Sequence, residues 1–142
     1  MTASHLRLRH PWTSPVYFAP DGDRSFLWLS HTGADHSRNL AADPRVSLVI
    51  FDSTVPPYHG RAVYAAGEAH EVPADGVDEA LTAYPRPGAE GAATLGRESV
   101  TGDAPYRLYR ATASRLWVLC PGEPGQACTL HGVTKDHRAQ VF

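Results

Sequence analysis

The stretch 26–51 constrains the fold most strongly, because it predicts two strands joined by a single short helix. It opens with the apolar run FLWL, which is typical of a strand. A polar loop follows, and Asp35 is placed to cap a helix that begins at His36. The helix has to end before Pro44, because proline disfavours the α conformation in the residue that precedes it. The alternating apolar residues after Pro44 predict a strand with one buried face.

The start of this predicted helix is the best candidate for a binding site. Helix N-termini carry unpaired backbone N–H groups and the positive end of the helix dipole, and both suit a phosphate. The polar residues expected around it are Ser30, His31, Thr32, His36, Ser37 and Arg38. The alternative is a capped surface helix whose polar side chains are simply solvated.

The rest of the chain predicts further short strands joined by hairpin-length loops. We expect these strands at 14–18, 61–71, 106–111, 115–119 and 139–142, and a second helix from Asp75. Gly67 inside the strand 61–71 predicts a bulge or a close backbone approach. We expect an arm or edge element at 1–13 and a mobile segment or lid at 88–103. The pattern predicts a mainly β fold, a small and mostly antiparallel β-barrel with short helices at its ends, formed by one domain over residues 1–142.

Composition excludes several classes of protein. The net charge is −2 and the basic residues are scattered, which argues against a nucleic-acid partner. No apolar run approaches the length that crosses a membrane, and the N-terminus lacks the apolar core of a signal peptide. We therefore expect no membrane partner and a cytoplasmic protein with reduced thiols.

Metal and nucleophile chemistry has weak support in the sequence. The histidine pairs considered are His31 with His36 and His131 with His137. Neither pair has carboxylate or cysteine company at a zinc-like spacing, so we expect no metal site. Cys120 and Cys128 lie on either side of a Pro/Gly loop without an evident base, and no catalytic serine motif is present. A histidine could still serve as the axial ligand of a haem.

Several segments together resemble the pyridoxamine 5′-phosphate oxidase-like family: SPVYFAPDG, FLWLS, HSRNLAADPRVSLVIFD and RAVYAAGEAHEV. The later YRLYRATASRLWVL is similar to the closing strands of that family. The resemblance covers about residues 11–120. It implies the FMN-binding split β-barrel fold. It also implies a homodimer that holds FMN in a cleft between the two barrels and acts on a small-molecule substrate.

The resemblance also implies roles for particular residues. Ser30 falls where the family often has a serine or threonine that contacts the flavin phosphate. His36 falls where a phosphate-binding lysine or arginine is usual. Arg61 opens a strand that commonly supplies a polar contact near the flavin ring, and Trp117 would reach across the dimer interface. The implied cofactor-binding residues are Ser30, His31, His36, Ser37, Arg38, Arg61 and Trp117.

The leading hypothesis is therefore an FMN-dependent oxidoreductase with no catalytic residue assigned. Oxidation of pyridoxamine 5′-phosphate is not carried over, because the more arginine-rich phosphate site and longer C-terminal segment of those enzymes have no convincing counterpart here. One alternative is a reductase of the same fold that uses the deazaflavin coenzyme, whose acidic tail would need a basic groove formed by Arg38, Arg45 and Arg61. The other is a non-catalytic flavin- or haem-binding protein.

Overall fold

The computed structural model of the protein describes residues 2–7, 10–56, 59–85, 94–120 and 126–142. The strands are β1 (Thr2–Arg7), β2 (His10–Pro15), β3 (Ala19–Asp21), β4 (Ser25–His31), β5 (Arg45–Phe51), β6 (Ala62–Glu71), β7 (Tyr106–Cys120) and β8 (His137–Gln140). The helices are α1 (Asp35–Ala42) and α2 (Val77–Ala83), with short 3-10 turns at Ala74–Gly76 and Arg97–Ser99. Within these ranges no helix is long and apolar enough to cross a membrane.

All eight strands belong to one antiparallel sheet. The strand order is β2-β1-β5-β6-β7-β4-β3, and β8 adds to the far end of β7. β7 is the longest strand and pairs with β4, β6 and β8 along its length. The predicted mainly β, antiparallel architecture with two short helices is confirmed. Among the strands described, the pairing forms an open path with β2 and β3 at its ends.

The centre of the sheet is buried on both faces. On β4, Trp28 packs into one core, which α1 covers with Leu40. Its neighbour Leu27 packs into the opposite core, which α2 covers with Val77. Both strand residues are completely buried, and full burial of such a side chain stabilises the fold by about 1.5–3 kcal/mol. Burial on two faces explains why this strand is a continuous apolar run instead of an alternating one.

The two strands predicted at 106–111 and 115–119 are one strand, and this boundary prediction is wrong. A bulge lets the chain continue through the polar residues between them. Gly67 pairs with Ala113 and Ala66 pairs with Arg115, so Ser114 has no partner in the ladder. Its hydroxyl donates to the Ala66 carbonyl oxygen at 3.1 Å. The bulge itself was predicted from Gly67 and is confirmed.

Other predicted boundaries differ from the structure. The strand expected at 14–18 is wrong, because β2 ends at Pro15 and the next strand begins at Ala19. Of the arm or edge element expected at 1–13, the described residues form β1 and most of β2, which lies at the edge of the sheet. The tail strand begins at His137, earlier than predicted.

The expected cap and lid also need correction. The prediction that Asp35 caps the helix is wrong: Ala34 occupies the cap position of α1, and Asp35 is the first helical residue, with its carboxylate paired with Arg38. Of the segment expected as a lid, residues 88–93 lie outside the part that the structure describes. Residues 94–103 contain a 3-10 turn followed by the buried Val100.

Gly67 is required by close backbone contact at the bulge, and this generates a prediction. A Cβ atom on Gly67 would lie 2.0 Å from the Thr112 carbonyl oxygen, so the two strands would have to separate. We expect Gly67→Ala to lower the free energy of unfolding by roughly 3 kcal/mol, the upper end for overpacking, measured by urea denaturation. The matched control is Gly76→Ala, whose Cβ would meet Val72 at an ordinary 3.5 Å. Equal stabilities of the two variants would contradict this view of the bulge.

Candidate functional site

Ser30, His36 and Ser37 form a hydrogen-bonded group where β4 ends and α1 begins. Ser30 follows Trp28 by two residues and so lies on the same face of β4, the face that α1 covers. Ser37 and Leu40 are three residues apart and are both buried on one side of α1. The Ser37 hydroxyl donates to Ser30 Oγ at 3.1 Å, and Ser30 Oγ lies 2.7 Å from His36 Nε2. We call these three residues the Ser30 cluster.

Burial favours a neutral His36. Ser37 donates to Ser30 Oγ, and the Ser30 hydroxyl has two acceptors within reach, the His31 carbonyl oxygen at 3.4 Å and, when His36 is neutral, His36 Nε2 at 2.7 Å. Burial lowers the pKa of His36 below its ordinary value of 6.5, and the nearby Asp35 carboxylate only partly opposes this. Without a bound anion, the cluster therefore presents hydroxyl groups and helix N–H groups at neutral pH, and no fixed positive charge from His36.

Arg38 is engaged with its own helix and the loop before it. Its guanidinium contacts the Asp35 carboxylate and donates to the Gly33 carbonyl oxygen. Both charged side chains are about half exposed, so the ion pair itself contributes at most about 1 kcal/mol. Arg38 therefore holds the loop against the helix, and its charge is balanced by Asp35.

His31 borders the cluster. Its Nδ1 accepts a hydrogen bond from the Gly33 N–H at 2.9 Å, and its ring lies edge to face with Tyr106 at 5.4 Å between centroids. Because Nδ1 is an acceptor, the neutral ring carries its proton on Nε2. The side chain is exposed, and only its backbone carbonyl is near the cluster, 3.4 Å from Ser30 Oγ.

Arg107 of β7 lies next to the cluster in the sheet, a placement that the sequence did not indicate. Arg107 lies opposite Ser30 in the β4–β7 pair, and its side chain is only 19% exposed. Its Nε lies 3.0 Å from Glu71 Oε1, and its guanidinium also donates to the Gly102 carbonyl at 2.6 Å. The loop before β7 is joined to the loop after β4 by the bond from Thr32 N–H to the Pro105 carbonyl at 2.9 Å.

The structure does not bring Arg61 or Trp117 to the Ser30 cluster. Arg107 faces the cluster, and Trp117 lies ten residues further along β7. At about 3.3 Å per residue, the separation along the strand is about 33 Å. Arg61 lies towards that far end, just before β6. Within one chain, the predicted phosphate residues and the predicted ring residues are therefore two separate regions.

The exposed Arg61 lines an open groove of about 830 Å³ at the end of β5, β6 and β7. The groove is lined by Ile50, Phe51, Asp52, His59, Gly60, Arg61, Ala62, Val63, Val118 and Leu119. Phe51 is 60% exposed there. Another groove, of about 670 Å³, follows the bulge at Gly67. The Ser30 cluster lines neither of these two grooves.

Trp117 is half-buried in β7. It lies opposite Tyr64 of β6 and Gln140 of β8. The Arg115 guanidinium lies 5.4 Å from the centre of its ring. The backbone of Trp117 thus lies between two neighbouring strands, and the next residue, Val118, lines the same groove as Arg61.

The basic groove expected from Arg38, Arg45 and Arg61 is not formed within the chain. Arg38 is paired with Asp35, and Arg45 Nε lies 2.9 Å from Asp43 Oδ1. Arg45 and Arg61 also flank opposite ends of the β5–β6 pair. Sequence alone could not show that Arg38 and Arg45 are paired. Their carboxylate partners are close in the chain, but whether the side chains meet depends on how the fold orients them.

The pair His131 and His137 has two cysteine neighbours in the fold. Cys120 and Cys128 lie beside it, although the sequence spacing did not indicate a cluster. Cys120 is brought to His137 by strand pairing, which links residues far apart in the chain.

The sequence of this chain matches a known protein family. A family model described as pyridoxamine 5′-phosphate oxidase matches residues 3–120. No protein of curated function shows a significant sequence match.

Several solved structures share the fold. A heme-binding protein from Mycobacterium smegmatis is 20% identical with a TM-score of 0.67, and the match covers 98% of this chain and 51% of that one. A FAD-binding protein from Mesorhizobium loti is 17% identical with a TM-score of 0.60, over 81% and 80%. An F420 reductase is 19% identical with a TM-score of 0.57, over 81% and 86%. The chain spans about half the length of the mycobacterial protein. These similarities confirm the split β-barrel fold.

We predict that acid destabilises the protein partly through His36. The pKa of His36 is lower in the folded state than its ordinary 6.5, so the unfolded chain binds this proton first as pH falls. Stability is therefore lost as pH falls below about 6.5. The free energy of unfolding is measured by urea denaturation at about pH 7.5 and at about pH 5.5. Its decrease between these two pH values should be smaller for His36→Gln than for the unmodified protein. The control is His59→Gln at an exposed position. An unchanged pH dependence in His36→Gln would show that the cluster does not hold His36 neutral.

Proposed function

Because the chain belongs to the pyridoxamine 5′-phosphate oxidase family, we propose that it binds FMN and acts as an FMN-dependent oxidoreductase on a small-molecule substrate. The Ser30 cluster is the observation that supports this proposal most directly. It joins two buried hydroxyl groups and an imidazole at the start of α1, where a phosphate monoester would be bound.

The donor set of the cluster fits a phosphate. Ser30 and Ser37 are 7% and 3% exposed, so their hydrogen bonds would be little weakened by water. The first turn of α1 adds backbone N–H groups that have no intrahelical partner. A bound phosphate would also favour protonation of His36, because a nearby negative charge raises the pKa of an imidazole. The paired Arg38 offsets the Asp35 carboxylate, which otherwise opposes an anion in the same turn.

In this proposal the residues of the chain bind and orient the cofactor. FMN, when bound, supplies hydride-transfer chemistry. The Ser30 cluster anchors the phosphate. Arg107 holds the loop before β7, and the backbone bond from Thr32 to Pro105 joins that loop to the one after β4. We assign no catalytic residue.

The proposed site is shared between two copies of the chain. FMN is shorter than the separation of about 33 Å along β7 between the cluster and Trp117. A single FMN can therefore meet both regions only if Arg61 and Trp117 come from a second copy. The exposed Phe51 beside Arg61 provides apolar surface for such an interface. Sedimentation of the FMN complex as a monomer would contradict a shared site.

The deazaflavin coenzyme and haem are the competing ligands. The F420 reductase and the heme-binding protein named above have the same fold. The acidic tail of the deazaflavin is less well matched here, because Arg38 and Arg45 already contact carboxylates. Titration with FMN, the deazaflavin and haem in parallel decides between them, and a preference for either of the latter two would overturn the FMN proposal.

We expect the Ser30→Ala/Ser37→Ala double variant to bind FMN at least tenfold more weakly than the unmodified protein. Each lost hydrogen bond to a charged phosphate costs roughly 1.5–3 kcal/mol. Binding is measured by quenching of flavin fluorescence. Riboflavin, which lacks the phosphate, is the matched ligand control, and Ser53→Ala at an exposed position is the matched protein control. Equal weakening of FMN and riboflavin would show that the phosphate does not lie at this cluster.

Asp35→Asn and Arg38→Ala should change FMN affinity in opposite directions. Removing the Asp35 carboxylate should tighten binding by about threefold to tenfold, because it removes a like charge close to the phosphate. Removing the Arg38 guanidinium should weaken binding by a similar factor. Both side chains are about half exposed, so both effects should shrink as salt concentration rises. Affinities that are unchanged in both variants would favour a solvated surface helix without a ligand.

A further inference from the structure

We propose that Cys120, Cys128, His131 and His137 form a structural zinc site. Each residue offers one ligand atom, and these four atoms all lie within 4.8 Å of one another. Two thiols and two imidazoles are a common ligand set for structural zinc. These four residues lie near the end of β7 that is opposite the Ser30 cluster, so this proposal is independent of FMN binding.

The distances from His131 Nδ1 to the other three ligand atoms are close to the edges of a zinc tetrahedron. Zinc bonds of about 2.3 Å to sulfur and about 2.05 Å to nitrogen imply edges of about 3.3 Å between nitrogens and about 3.6 Å between sulfur and nitrogen. His131 Nδ1 lies 3.0 Å from His137 Nε2, 3.5 Å from Cys128 Sγ and 3.8 Å from Cys120 Sγ. A hydrogen bond between the two histidines accounts for the first distance. It does not account for the convergence of two sulfur atoms on the same nitrogen.

The fold supplies the ligands in two pairs. Cys120 and His137 lie directly opposite each other in the β7–β8 ladder, where side chains share one face of the sheet. Cys128 and His131 come from a tight turn. The turn is closed by a bond of 2.7 Å from the Gly132 N–H to the Cys128 carbonyl. Gly132 has a φ of 66°, a left-handed conformation that glycine adopts without strain.

The surroundings of His137 orient it as a ligand. Its Nδ1 lies 3.0 Å from the Lys135 carbonyl oxygen, so Nδ1 carries the proton and donates it. Nε2 then carries the lone pair and lies within 4.8 Å of the other three ligand atoms. A carbonyl hydrogen-bonded to the opposite ring nitrogen is typical of zinc-bound histidine. Four protein ligands leave no open position on the ion, and the site is therefore structural rather than catalytic.

Zinc at this site would fasten the short β8 to β7. The strand itself has only four residues. Beyond it, the Val141 N–H donates to the Leu116 carbonyl at 3.0 Å, and the Leu116 N–H donates to the Phe142 carbonyl at 3.1 Å. The Arg24 guanidinium lies 3.5 Å from the centre of the Phe142 ring. The metal would hold this segment beside Trp117.

The experiment measures metal in tag-free protein that is equilibrated with Zn²⁺ and then freed of unbound metal. We expect one zinc per chain by elemental analysis. Replacement by Co²⁺ should give the intense visible bands of a tetrahedral ion together with thiolate-to-cobalt charge transfer. Cys128→Ser and His131→Asn should each lower zinc affinity at least tenfold, whereas His59→Gln should leave it unchanged.

Several outcomes would overturn the proposal. These are the absence of zinc from the unmodified protein with both thiols open to alkylation, a Cys120–Cys128 disulfide in the purified protein, and a cobalt spectrum without charge transfer.

Removal of zinc by a chelator should increase hydrogen exchange at the Val141 amide and leave the amides of β4 unchanged. Zinc binding without that increase would overturn the fastening role. These readouts concern metal and backbone only, so failure of FMN to bind would not affect them.

Discussion

The pairing of β7 with three other strands is the constraint on which the rest of the structure depends. Its first half is bonded to β4, most of its length to β6, and its last residues to β8. The strand also separates two cores, because Leu108 faces one and Tyr109 faces the other. A slip of one residue would exchange the two faces and place each side chain in the wrong core. This register fixes where Ser30 meets Arg107 and where Cys120 meets His137.

Local features of the chain were largely predictable from sequence. The run FLWL, the polar loop and the proline at 44 define β4, α1 and β5 because each acts over a few residues. The same segment contains all three members of the Ser30 cluster, so their proximity follows from one turn of helix beside one strand end. The bulge at Gly67 was predictable for the same reason, since a glycine inside a strand marks close backbone approach.

Features that depend on long-range pairing were not predictable. The polar residues between the two halves of β7 indicate a break, yet the bulge absorbs them within one strand. The spacing of Cys120, Cys128, His131 and His137 did not indicate a metal site, because two of the four meet only through strand pairing. The partners of Arg38 and Arg45 likewise depend on side-chain orientation. Charge in the sequence therefore overstated the positive charge that the folded protein offers to a ligand.

The strand order has a consequence for how the chain reaches its folded state. β4 and β5 are consecutive in the chain but are separated in the sheet by β6 and β7. The central strand β7 follows both of its long partners, β4 and β6, in the chain, and contacts of this kind between distant segments slow folding. Until β7 is present, one edge of β4 and one edge of β6 are left unpaired and open to wrong association. Ser30 thus reaches its final environment only after β7 has been made.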